Sequence, residues 1–160
     1  MENVKRDPRG QGDRGEQLAA FWFGARGATV FMPFFHNPRD FDFIVDWGEG
    51  VQRIQVKTST QFRNGRWDVS VCTRGGNRSW SGLVKHLDPS QYEYLFVVVA
   101  DGRQWLIPSA EVEGGSHVCL GGPKYEKYEL EPGQPLLQNA ASLDSAPLRR
   151  DSRAVKGDAL

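Results

Sequence analysis

The segment Phe41 to Lys57, FDFIVDWGEGVQRIQVK, alternates in character on both sides of a glycine-bearing turn, a pattern that few structures other than a β-hairpin satisfy. Asp42, Ile44 and Asp46 share one parity, and Phe41, Phe43 and Val45 share the other. Beyond Trp47-Gly48-Glu49-Gly50, Ile54 and Val56 face one way while Arg53, Gln55 and Lys57 face the opposite way. Pairing Asp46 with Val51 sets Asp42 opposite Gln55 and puts Lys57 on the adjacent diagonal, roughly 5 to 8 Å away. A carboxylate, an amide oxygen and an ammonium gathered on one face make a poor core but a workable site for a cation and a phosphate.

The chain has 160 residues, enough for one domain with one core. Its 20 Lys and Arg balance 20 Asp and Glu, so any attraction for nucleic acid must come from local clustering. Cys72 and Cys119 cannot build a disulfide framework. His117 and Cys119 together fall short of the four ligands of a structural zinc. The opening MENVKRDPRGQG lacks an apolar signal-peptide core, and no apolar run approaches the ~20 residues of a membrane span. The expectation is a reduced, soluble cytoplasmic protein with no membrane partner.

Residues 1–12 read as a flexible lead, and the helical pattern starts at Asp13, with Leu18, Phe21, Trp22 and Ala25 as its apolar stripe and Gly27 as its stop. A strand over 28–32 follows, then the loop His36-Asn37-Pro38-Arg39 and the hairpin. Phe34 and Phe35 read as wall packing. Trp67, Val69 and Val71 alternate with Asp68, Ser70 and Cys72, predicting a third antiparallel arm over 66–72. Asp88-Pro89 opens a short helical turn, Tyr94 to Val99 is a strand buried on both faces, and Asp101-Gly102 turns into a partner strand at 104–107. Ser109 is expected to cap one helical turn over 110–113. Residues 131–160 lack aromatics and are expected to form a disordered tail. The order of elements argues for a mixed α/β sheet with a helix on one face.

Two readings of the hairpin's polar face stand side by side. In one, Asp42 is an anionic ligand for a hard divalent cation, Gln55 and the Val56 carbonyl add oxygens, and Lys57 offsets charge on a phosphate. In the other, an ordinary edge hairpin meets solvent, and Lys57 pairs with Asp40 or Asp42. Glu16 divides likewise. Asp13-x-x-Glu16 has the spacing of a capping box, and the same carboxylate at a helix start could instead reach the charged face.

Three stretches carry a resemblance: Gly12-Asp13-Arg14-Gly15-Glu16 at the helix, Pro38-Arg39-Asp40-Phe41-Asp42 at the hairpin, and Gln55-Val56-Lys57-Thr58-Ser59 in its second arm. With the runs 94–99 and 104–108, the sequence resembles the PD-(D/E)xK nuclease superfamily over residues 12–130, and more narrowly its small branch associated with group I introns. The resemblance implies a restriction-endonuclease-like fold in a single domain over 13–130. It implies Glu16, Asp42, Gln55 and Lys57 as catalytic residues, with Glu16, Asp42 and Gln55 holding Mg²⁺, for which Mn²⁺ can substitute. It further implies cleavage of double-stranded DNA leaving a 5′-phosphate and a 3′-hydroxyl. Gln55 stands where the superfamily usually has Asp or Glu, so binding of the cation leans on Asp42 and Glu16.

A DNA-facing surface should be basic, and residues 53–86 carry seven Lys and Arg against Asp68 alone. Arg63, Arg66, Arg74, Asn77, Arg78, Trp80 and Lys85 are the candidate nucleic-acid contacts; His36 and His86 are assigned no catalytic role. Cutting both strands of a duplex takes two sites, so a homo-oligomer, a dimer or tetramer, is expected. The alternative function is a DNA-binding module that keeps the fold without catalysis.

Overall fold

The structure, a computed structural model, describes residues 7–35, 39–74, 84–112 and 114–131. Its long helix, α1, spans Pro8–Ala25, so residues 8–12, expected in a flexible lead, form its opening turn. Asp7 rather than Asp13 is the N-cap, its side chain accepting from the Gly10 amide at 3.1 Å, with Pro8 as the first helical residue. Asp13 and Glu16 therefore lie inside the helix, and the capping-box reading is overturned. The buried stripe is also rotated. Gly15, Ala19 and Phe23 face inward, whereas Phe21 is exposed, because small residues at 15 and 19 let the helix settle closely on the sheet.

The central sheet runs β1 (Thr29–Phe31), β2 (Phe43–Asp46), β3 (Val51–Ser59), β8 (Tyr94–Val99) and β9 (Gln104–Pro108). All neighbours are antiparallel except β3 and β8, which are parallel. One face packs on α1 through Phe43, Val45, Ile54, Val56, Phe96 and Val98 around Ala19 and Phe23. The other, with Leu95, Val97, Val99, Trp105 and Ile107, packs on a second sheet.

That second sheet is ordered β10 (His117–Leu120), β5 (Arg66–Ser70), β4 (Phe62–Arg63). The arm expected over 66–72 thus does not pair with the hairpin, which it meets through the Ser59 hydroxyl donating to the Asp68 carbonyl; it turns Trp67 and Val69 into the interlayer core and pairs with β10. β6 (Cys72–Arg74) and β7 (Val84–His86) pair separately. Short 3₁₀ turns cover Pro89–Gln91, capped by Asp88, and Ser109–Glu111, where Pro108 rather than Ser109 holds the cap position with no side-chain bond. Among the described residues Phe34 and Phe35 pack edge-on to each other, at 92% and 81% exposure, not into a wall. Residues 36–38 and the expected tail beyond Glu131 lie outside the described residues.

Candidate active site

The hairpin register places Asp46 opposite Val51 and Phe43 opposite Ile54, which sets Asp42 opposite Gln55. The turn between the arms is fixed by Asp46 Oδ1, which accepts from Gly48 N at 2.7 Å, and by positive φ at Gly48 and Gly50. β2 starts one residue after Asp42, and beyond it that edge of β3 has no strand partner among the described residues. The Asp42 side chain fills that place. Its Oδ2 accepts from the Val56 amide at 2.6 Å and from Gln55 Nε2 at 2.7 Å. Gln55, buried at 5% exposure, donates from the same nitrogen to the Val56 carbonyl at 3.0 Å. A single donor thus sits where two oxygens, Asp42 Oδ2 and Val56 O, converge.

Glu16 reaches this end of the sheet from the helix layer. Gly15 brings α1 so near β3 that a Cβ there would lie 2.2 Å from Thr58 Cγ2, and the next residue carries its carboxylate into the field of Asp42 and Lys57. Burial, then the charges of Asp42 and Asp13, hold the Glu16 carboxyl above its ordinary value, while Lys57 opposes them. Burial likewise pushes Asp42 up, against the pull of the Val56 amide, Lys57 and Gln55. Among the described residues Glu16 and the Lys57 ammonium have no hydrogen-bond or ion-pair partner. Lys57 does not pair with Asp40 or Asp42, which removes the ordinary-hairpin reading's main contact.

Asp40 has a different task. Buried at 6% exposure, it accepts from Lys85 Nζ at 2.8 Å and from the Asp88 amide at 3.0 Å, while its own amide donates to Gln91 Oε1 at 3.1 Å. This clasp ties the strand entrance to the turn at 88–91. It also engages Lys85, one of the candidate nucleic-acid contacts; Arg53 is similarly engaged by Glu93. Arg63 and Arg66 are exposed on the β4–β5 hairpin, and neither has a carboxylate partner among the described residues. The side chain of Arg74, with Asn77, Arg78 and Trp80, lies outside the described residues.

The donor set suits a hard divalent cation, since Asp42, Glu16, the Val56 carbonyl and the Gln55 amide are all oxygen ligands. Among the described residues no group of three or more His, Cys, Asp or Glu is gathered, so a cation held here would draw on backbone and amide oxygens beside the two carboxylates. Sequence reasoning missed the hairpin at Arg63-Asn64-Gly65-Arg66, although Asn-Gly is a strong hairpin signal, and it missed Gly15 as the residue that seats Glu16.

Comparison with known proteins bears on the fold and the family. A bacterial homing endonuclease, I-Ssp6803I, has a similar solved structure, with a TM-score of 0.67 at 18% identity over 78% of this chain and 89% of that one; the likeness is one of fold. MepB gives a TM-score of 0.38 at 11% identity over 65% and 78%. No curated protein matches by sequence. The PD-(D/E)XK endonuclease family matches over residues 6–120, and the chain belongs to it.

Proposed function

We propose that this protein is a metal-dependent DNA endonuclease that hydrolyses phosphodiester bonds at the Glu16, Asp42, Gln55 and Lys57 site. The observation that supports it is the convergence of Asp42 Oδ2 and the Val56 carbonyl on one point, near a carboxylate and an ammonium that have no hydrogen-bond or ion-pair partner among the described residues. A Mg²⁺ ion, or Mn²⁺ in its place, supplies Lewis acidity for the phosphate and lowers the pKa of water. Asp42 is the principal ligand, kept in place by the Val56 amide. Glu16 adds the second negative charge. Gln55 turns its amide so that the oxygen, rather than the nitrogen, meets the site. Lys57 orients water toward phosphorus and offsets charge developing on the phosphate oxygens.

Double-stranded DNA is the substrate, and Arg63 and Arg66, with Arg74, Asn77, Arg78 and Trp80, supply its contacts; Lys85 serves the clasp first. Two copies are needed to cut both strands. The exposed Phe31, Met32, Phe34 and Phe35 offer an apolar surface for pairing, which sedimentation of a Phe34→Asp, Phe35→Asp variant tests. Among the described residues no helix is long and apolar enough to cross a membrane. A second reading, a DNA-binding module without catalysis, draws on the presence of only two carboxylates. Calorimetric titration with Mn²⁺ separates the two: one ion bound per chain and lost in Asp42→Asn supports the nuclease, and heat-silent titration with tight DNA binding supports the module.

A further inference from the structure

The second sheet turns one face to the core and, among the described residues, leaves the other open. On the open face Arg63 lies opposite Arg66, Asp68 opposite Cys119 and Ser70 opposite His117, with no aliphatic or aromatic side chain among them. This face lines a cleft of about 1040 Å³ whose other wall includes Thr58 and Gln11. Gln11 Nε2 donates to Thr58 Oγ1 at 3.0 Å, and Thr58 directly follows Lys57, so the cleft is continuous with the catalytic strand.

Like charges directly opposite in a sheet are destabilising. Arg63 and Arg66 are such a pair, and no carboxylate among the described residues relieves them, which points to a polyanion as the occupant. The tip between them, Asn64-Gly65, has φ of 50° and 75° and forms a narrow two-residue turn. A two-stranded ribbon of this kind fits the B-DNA major groove, about 12 Å wide. Asp68 decides between the two things such a ribbon could touch. A carboxylate repels phosphate, whereas on base edges it accepts from the cytosine amino group.

Two of the groups that would read bases, Asp68 and His117, hold each other before any DNA arrives. His117 Nδ1 lies 2.7 Å from Asp68 Oδ1, which fixes the ring and leaves Nε2 free of that contact. The Arg66 guanidinium lies against Gly122, where an added Cβ would come within 1.9 Å of Nη1. The paired Asp68 and His117 lose little further entropy on binding.

We infer that the open face of β4, β5 and β10 is a base-reading surface, which inserts into the major groove beside the scissile phosphate, with Arg66, Asp68 and His117 as specificity residues. The inference rests on the nuclease reading.

The test is cleavage of a randomised duplex pool by the full chain in Mg²⁺, with sequencing of the cut ends. Wild type, Asp68→Asn, His117→Ala and Gly122→Ala are compared, circular dichroism checks folding, and binding to one fixed duplex is measured in parallel. Asp68→Asn and His117→Ala should each lose on the order of 10-fold preference at one or two adjacent base pairs. Gly122→Ala, which displaces Arg66, should lose preference at a neighbouring pair. Unchanged preference in all three, or affinity lost equally for every sequence, overturns the inference while leaving the nuclease reading intact. Wild type that neither binds nor cuts any duplex overturns both.

Discussion

The side-chain nitrogen of Gln55 stands 2.7 Å from Asp42 Oδ2 and 3.0 Å from the Val56 carbonyl oxygen, so a hydrogen-bond donor fills the place where two hard oxygens meet. This amide bridges the two oxygens, and the Val56 N–H is a second donor to Asp42 Oδ2.

Gln55→Glu removes the donor and faces Asp42 with a second carboxylate. The metal-free variant should lose roughly 1–3 kcal/mol of stability. Its affinity for Mn²⁺ should rise, because a carboxylate is the stronger ligand for a hard cation. Thermal melts with and without Mn²⁺ read both effects. Identical melting behaviour of variant and wild type in the two conditions would contradict the assignment of Gln55.

Gly15→Ala is the reverse of the usual helix substitution. Alanine normally favours a helix interior over glycine by about 1 kcal/mol. Here its Cβ would lie 2.2 Å from Thr58 Cγ2, so α1 must move off β3 and overpacking should cost roughly 1–3 kcal/mol. Because Glu16 rides on the same turn, cleavage should fall more than the melting temperature suggests. A variant as stable and active as wild type would show that the close approach is immaterial.

How much of this was legible in the sequence follows from the range of each interaction. The register that sets Asp42 opposite Gln55 was readable because a four-residue turn between alternating arms admits one in-phase pairing. The buried strand at 94–99 and its turn partner were readable for the same local reason. The parallel pairing of β3 with β8 and the pairing of β5 with β10 were not, since they join residues some forty or more positions apart with no local signal. The start of α1 was misplaced because three glycines in residues 10–15 obscure the helical pattern, although Asp7-Pro8 carries the proper cap and first-turn chemistry. The clasp that takes up Lys85 joins partners 45 residues apart, and composition alone cannot separate an engaged cation from a free one.

The pH dependence follows from Glu16 and Asp42, both raised by burial first and, for Glu16, by Asp42 and Asp13 next. A carboxyl raised in the fold stabilises the protein fully below its unfolded pKa, and that contribution is lost as pH rises through the folded value. Glu16→Gln should therefore melt a few degrees above metal-free wild type near neutrality, and the gap should close below about pH 4. Under the proposed mechanism cleavage needs both groups ionised, so its acid limb should fall with a slope approaching two. A gap that widens in acid would have the wrong sign.

Asp40→Ala tests the clasp. Burial works against the charge of Asp40, but the Lys85 hydrogen bond, the Asp88 amide and the Lys85 charge together hold its carboxyl below the ordinary value. A lowered carboxyl contributes stability above its unfolded pKa and loses it as pH falls through the folded one. The variant should be destabilised by roughly 1–3 kcal/mol near neutrality and by less in acid, as denaturant titrations at both pH values would read.

Nicking of supercoiled plasmid by purified Asp42→Ala beside wild type in Mg²⁺ tests the central claim most directly. Wild type should convert plasmid to open-circle and linear forms, while a folded Asp42→Ala shows no conversion, and Lys57→Ala falls on the order of 10²-fold or more. Nicking by Asp42→Ala at the wild-type rate would contradict the placement of hydrolysis at this site.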